Sequence, residues 1–213
     1  MTDQANASLY QRAYLIACDP QRGHPYNRQR TALVVRAAVL VDLAYRRAAH
    51  EVGGRVHVDD VGDLADPVLA TAASEMMLRS RSWRAWIRHG YKQTLTLVEE
   101  RLLDEGVLAG RPSGLEPNRP ATVRDLAAIV RLQARVRSVL VGEEPDEGTD
   151  RNDAALAVLA VAGGVPLVPR GYRVQYRTRY LALAAQAGEG FPGIEPALSK
   201  LRRTIIAARG GMG

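Results

Sequence analysis

The chain has 213 residues, 46% of them apolar and 24% charged, which excludes a disordered or fibrous protein and suffices for one good-sized hydrophobic core. Aromatic residues make up only 5%, with a single Phe, so the core rests on Ala, Val and Leu and suits close-packed helices better than a β-sandwich. The formal net charge of +6 argues for an anionic partner, either nucleic acid or a lipid surface.

Lys92 and Lys200 are the only lysines among 29 basic residues, and Arg favours phosphate through its planar, bidentate fork. Cys18 stands alone, which excludes an internal disulfide and fits a reduced, cytosolic setting. The polar stretch from Met1 to Ser8 lacks the order of a signal peptide, and no apolar run reaches the roughly 18 residues of a membrane span. The expectation is a protein that is soluble or peripheral to a membrane.

In chain order, Leu9 to Cys18 predicts a helix stopped by Asp19-Pro20, followed by a loop from Gln21 to Arg30. Thr31 to His50 is apolar nearly all round and predicts a buried central helix ending before Gly53-Gly54, where a small hairpin including Arg55 to Val58 is expected. Asp66-Pro67 opens the next helix by the rule that places an acid at the cap and proline at the first helical position. Arg79 to Lys92 is a basic, amphipathic stretch: on one helical wheel Trp83, Trp86 and Ile87 oppose Arg81, Arg84, Arg88 and Lys92. Gln93 to Glu105 continues as a helix, then Val107 to Ala109 precedes a Gly/Pro loop to Pro120.

A capping box at Thr122 and Asp125 predicts a helix start running to about Val141, followed by an acidic loop from Gly142 to Asp150. Further helices are expected over Asn152 to Ala162, Tyr172 to Ala187 and Pro196 to Ala208. The fold class is mainly α, a single compact multi-helix domain over residues 9–208 with short surface hairpins, a flexible lead at 1–8 and a tail at 209–213.

Enzyme chemistry finds little support. His24, His50, His57 and His89 lack paired metal-ligand spacing, neither a P-loop nor a nucleophile elbow is present, and no metal or cofactor is expected. The acids Glu143, Glu144, Asp146 and Glu147 lack the alternation of a calcium loop and suit a solvated one.

Anion binding has three strands of support. Arg36 sits inside an apolar run with no acid three or four residues away, so it snorkels, meets an acid from elsewhere in the chain, or holds an anion. Arg124, Arg131 and Arg135 fall within about 40° of one another on a helical wheel, a stripe that is either a wet helix face or a phosphate contact. Arg170, Arg173, Arg177 and Arg179 alternate with Tyr172, Tyr176 and Tyr180, which suits a lipid–water interface or stacking of unpaired bases as well as simple packing.

The run Leu33-Val34-Val35-Arg36-Ala37-Ala38-Val39-Leu40-Val41-Asp42-Leu43-Ala44-Tyr45-Arg46, with Asp66-Pro67-Val68-Leu69, the stretch from Val98 to Leu108 and that from Arg135 to Leu140 in the same order, resembles the GPP34 or Golgi phosphoprotein 3 family in its bacterial form. The resemblance spans about Leu9 to Ala208 and implies a mostly helical domain. It also implies recognition of phosphatidylinositol 4-phosphate on membranes, through an aromatic before the central helix, an Arg within it and basic residues on a later helix. Arg36 matches the helix Arg, and Arg131 and Arg135, with Arg124, stand for the later basic residues. The family's aromatic is a Trp, which is absent between Pro20 and Arg36, and Tyr26 is the nearest stand-in.

The reading that follows is a cytoplasmic, peripheral membrane protein without enzymatic activity, whose Arg36, Arg131 and Arg135 converge on one phosphate in a concavity free of carboxylates. Val165, Leu167 and Val168 would insert shallowly into the bilayer, and the family implies a membrane-protein client as a second partner. The alternative is a winged-helix regulator of nucleic acid built on Gln93 to Gly110, against which the acids Glu99, Glu100, Asp104 and Glu105 weigh.

Overall fold

A computed structural model of the chain describes residues 7–59, 64–110, 121–142, 149–167, 177–191 and 193–210. Among these the architecture is helical, with ten helices and two small antiparallel two-stranded sheets. The chain runs α1 (Leu9–Ile16), α2 (Arg28–Tyr45), β1 (Ala49–Val52), β2 (Arg55–Val58), α3 (Pro67–Met77), α4 (Trp83–Arg88) and α5 (Tyr91–Asp104). It continues through β3 (Leu108–Ala109), β4 (Thr122–Val123), α6 (Leu126–Val141), α7 (Arg151–Gly163), α8 (Arg177–Gly188), α9 (Ile194–Ser199) and α10 (Leu201–Gly210).

Two helices without a polar face form the centre. Every residue of α2 from Thr31 to Ala44 is buried, as is α7 from Asp153 to Ala160, and the two pack on each other. Around α2 lie α1, α3, α4 and α5, while α7 carries α6, α8, α9 and α10. The small side chains Ala154, Ala155, Ala157 and Ala160 on α7 explain how a core poor in aromatics remains closely packed.

Local chemistry sets the helix ends, and several differ from the sequence expectation. Helix α2 begins at Arg28 because the Asn27 side chain accepts from the Arg30 amide at 3.0 Å. It stops at Tyr45, since Arg47 takes a left-handed φ of 59°, and His50 belongs to β1. The β1–β2 turn is Gly53-Gly54, with φ of 59° and 77°, the conformation a two-residue hairpin demands. The Asp66 carboxylate caps α3 by accepting from Val68 and Leu69, with Pro67 in the first position as expected.

The basic stretch from Arg79 to Lys92 is not one helix. It divides at His89-Gly90, where Gly90 has φ 69°, into α4 and α5. Thr122 lies in β4, and Asp125 alone caps α6 through the Ala128 amide. The C-terminal helix breaks at Lys200 into α9 and α10. The acidic cluster 143–148 and the Tyr/Arg positions 170, 172, 173 and 176 lie outside the described residues.

Candidate functional site

Arg36 is the buried charge around which one corner of the fold is organised. It projects from the middle of α2 toward α3, α4 and α5 and is 1% exposed. Its Nη2 donates to Glu75 Oε2 at 2.9 Å, Nη1 to Thr94 Oγ1 at 3.0 Å and Nε to the Trp86 carbonyl at 3.3 Å. Thr94 in turn donates to the Gly90 carbonyl at 3.0 Å. Burial pulls the guanidinium below its ordinary pKa, and the Glu75 carboxylate pushes it back up. Of the three fates open to Arg36, the structure has the second, an acid brought from elsewhere in the chain. Glu75 is the only acid between Asp66 and Glu99, which is the signal in the sequence that could have identified it.

The Trp86 indole is fully buried and lies within cation–π reach of two arginines, Arg36 at 5.9 Å and Arg81 at 5.4 Å. His89 meets the edge of the same ring, and burial, then Arg81, hold it below its ordinary pKa. Gly90 covers the pair: a Cβ there would stand 3.2 Å from Glu75 Oε2 and 3.7 Å from the Arg36 guanidinium carbon. The close approach of the Gly90 backbone to the pair leaves little room for a side chain there.

Outside this cluster Arg79, Arg84, Arg88 and Lys92 are exposed, and no acid occurs from Arg79 to Lys92. Beside them, at the end of α3, Met77 is 54% and Leu78 83% exposed. An apolar tip, Met77 and Leu78, thus adjoins a cationic face.

The remaining expected contacts lie elsewhere. Arg131 pairs at 3.0 Å with Asp125, the cap of its own helix, and Arg135 donates to Asp153 on α7, which also pairs with Arg12 of α1. Arg124 donates to the Leu108 carbonyl at 3.4 Å. The expected concavity free of carboxylates is therefore not formed by Arg36, Arg131 and Arg135, because each ends on a carboxylate, and these come from three different elements. The α6 stripe is cationic on the wheel because its acids arrive from the cap and from α7, not from its own face.

Tyr26 lines a cavity of about 220 Å³ with Arg30 and Val165, where the first turn of α2 meets the end of α7. Leu167 is buried in the core, so it does not present itself for insertion, and Val168 lies outside the described residues. The hairpin β3–β4 does follow α5, but exposed Glu100 and Asp104 remain on that helix, unsuited to a groove of phosphates.

With the α2 helix, its one buried Arg and the surrounding helices in this arrangement, sequence comparison decides the family. The Golgi phosphoprotein 3 (GPP34) profile matches residues 9–204. The chain belongs to the GPP34 family. No curated protein matches it in sequence. The GPP34 match runs from the first residue of α1 into α10, so all ten helices belong to the family domain at least in part. Among the described residues no helix of this GPP34 domain is long and apolar enough to cross a membrane, and no group of three or more His, Cys, Asp or Glu could hold a metal ion. Cys18 is buried, and burial pushes its thiol far up, against the behaviour of a nucleophile.

Proposed function

We propose that this GPP34 domain attaches to membranes by binding anionic phospholipid headgroups at the corner where α3, α4 and α5 meet. The observation that carries the reading is the juxtaposition of exposed Met77 and Leu78 with the acid-free run of Arg79, Arg81, Arg84, Arg88 and Lys92. An apolar tip enters the headgroup boundary while the cations hold the surface, each contributing about 1 kcal/mol near an anionic leaflet. Arg36 lies behind this face, and a phosphate reaching past Gly90 competes with Glu75 for its guanidinium. Family membership supports the direction of this reading, and phosphatidylinositol 4-phosphate is the headgroup to test first.

The test is co-sedimentation with vesicles of phosphatidylcholine alone, with phosphatidylserine, or with phosphatidylinositol 4-phosphate at matched charge, at low and physiological salt. Anionic vesicles should be bound and released by salt. The exposed variants Arg84→Glu/Arg88→Glu and Leu78→Asp, which leave the core untouched, should weaken binding by about tenfold or more. Arg131→Ala/Arg135→Ala should weaken it far less. Preference for the phosphoinositide over equal charge supports a headgroup site, and equal binding reduces it to a charged face. Absence of vesicle binding, with a duplex-DNA shift untouched by these variants, overturns the reading in favour of nucleic acid.

A further inference from the structure

A cavity with apolar walls lies at the other end of the chain. It encloses about 510 Å³, within the range of roughly 300–1,000 Å³ typical of small-molecule sites. Its apolar lining includes Leu140 from α6, Val161 from α7, Leu181 from α8 and Ile206 from α10. Leu140 is buried, whereas Leu181 is 44% and Ile206 57% exposed, so two aliphatic side chains stand open to water where an occupant would cover them. The Tyr180 hydroxyl is already committed, donating to the Leu198 carbonyl at 2.7 Å, and its ring adds to the apolar wall.

The polar lining is of one sign. Arg177, Lys200, Arg202 and Arg203 all border the cavity, all are exposed, and none of them forms an ion pair among the described residues. Arg12, Arg28, Arg36 and Arg135, by contrast, all end on carboxylates. No carboxylate belongs to the described lining.

We infer that this groove binds one single-chain amphiphile with an anionic head, a long-chain fatty acid carboxylate, its chain along Leu140, Val161, Leu181 and Ile206 and its carboxylate among Arg177, Lys200, Arg202 and Arg203. Charge complementarity selects an anion, because four cations at one mouth, unpaired among the described residues, repel a cationic ligand and gain nothing from a neutral one. Size suits a single small molecule, since about 510 Å³ falls within the range of such sites. This inference stands apart from the vesicle reading, since it concerns a monomeric ligand and different residues.

Equilibrium dialysis of the full chain with radiolabelled oleate, below its aggregation concentration, tests it. The expected result is saturable binding of one oleate per chain, with monoolein, which carries the same chain on a neutral head, bound at least about tenfold more weakly and acetate not detectably bound. Ile206→Asp and Lys200→Glu/Arg203→Glu alter exposed side chains, so they should leave the folded circular dichroism spectrum intact while weakening oleate by about tenfold or more. Arg84→Glu/Arg88→Glu should bind oleate as the wild type does, which separates failure of this inference from failure of the membrane reading. Oleate binding unchanged in both groove variants, equal binding of monoolein, or binding of acetate alone would overturn it. So would a dimer, seen by light scattering, that Ile206→Asp dissociates, because the groove would then be covered by a second copy.

Discussion

The guanidinium of Arg36 and the carboxylate of Glu75 meet at 2.9 Å, one side chain buried and the other half-exposed at the surface. The pair therefore joins the centre of α2 to the outer face of α3 and gives a core charge its route to water. Glu75→Ala leaves Arg36 with only neutral partners and should cost about 3 kcal/mol in urea unfolding. Arg36→Met alone should cost a comparable amount, but the double variant should cost less than the two together, with a coupling of at least about 1 kcal/mol. Strict additivity would mean that the pair contributes nothing beyond its separate side chains.

Gly90 should be intolerant of even the smallest side chain. Its φ of 69° disfavours any other residue, and a new Cβ would press on Glu75 at 3.2 Å. Gly90→Ala is expected to lower stability by about 1–2 kcal/mol, read as a shift in the thermal midpoint, whereas Gly106→Ala tests the same backbone conformation with nothing within 4 Å. A larger loss at Gly90 than at Gly106 isolates the crowding of the Arg36–Glu75 pair from the backbone cost.

Stability should depend on pH through Asp42. Its carboxylate accepts from the Leu9 and Tyr10 amides at 3.3 and 3.1 Å, joining α1 to α2. Burial nevertheless raises its pKa from 3.8 to about 6, against those amides and Arg46, with Asp66 adding to the rise. The folded state thus holds a proton that the unfolded chain releases. The stabilisation is complete below about pH 4 and is lost as pH rises through about 6, amounting to about 3 kcal/mol. Urea midpoints measured across this window should show the decline, and Asp42→Asn should flatten it.

Asp153 should matter more than either arginine on it. Its side chain is 5% exposed and accepts from both Arg12 and Arg135, so α1, α6 and α7 share one carboxylate. Asp153→Asn should cost about 2 kcal/mol, because two charge-assisted hydrogen bonds weaken together. Arg135→Ala should cost under about 1 kcal/mol, since its side chain is 64% exposed and Arg12 remains. Denaturant unfolding of both variants at one pH gives the comparison.

Much of this protein was legible in one dimension. The apolar character of Leu33 to Ala44, interrupted only by Arg36 and Asp42, determined a central helix, because a helix covered on every side has no polar face. Asp66-Pro67 determined the start of α3, and Gly53-Gly54 determined a hairpin, because caps and tight turns depend on neighbours only a few residues away. The order of these segments also sufficed to identify the family, and the isolation of Arg36 from local acids marked it as the residue to watch.

What the sequence left open is what distant segments do to one another. The wheel placed Arg131 and Arg135 on one stripe, but only the packing of α6 against α7 gave Arg135 its partner, eighteen positions along the chain. Glu75 reaches Arg36 across thirty-nine positions, and no periodicity signals such an encounter. The break at Gly90 was equally hidden, since Arg79 to Lys92 satisfies one helical pattern, and the tight fit of Gly90 over the Arg36–Glu75 pair exists only because α3 and α5 converge there. Local backbone preference and apolar periodicity act over a few residues and can be read from them; a buried charge takes whichever partner the folded chain brings near, and that choice belongs to the tertiary structure.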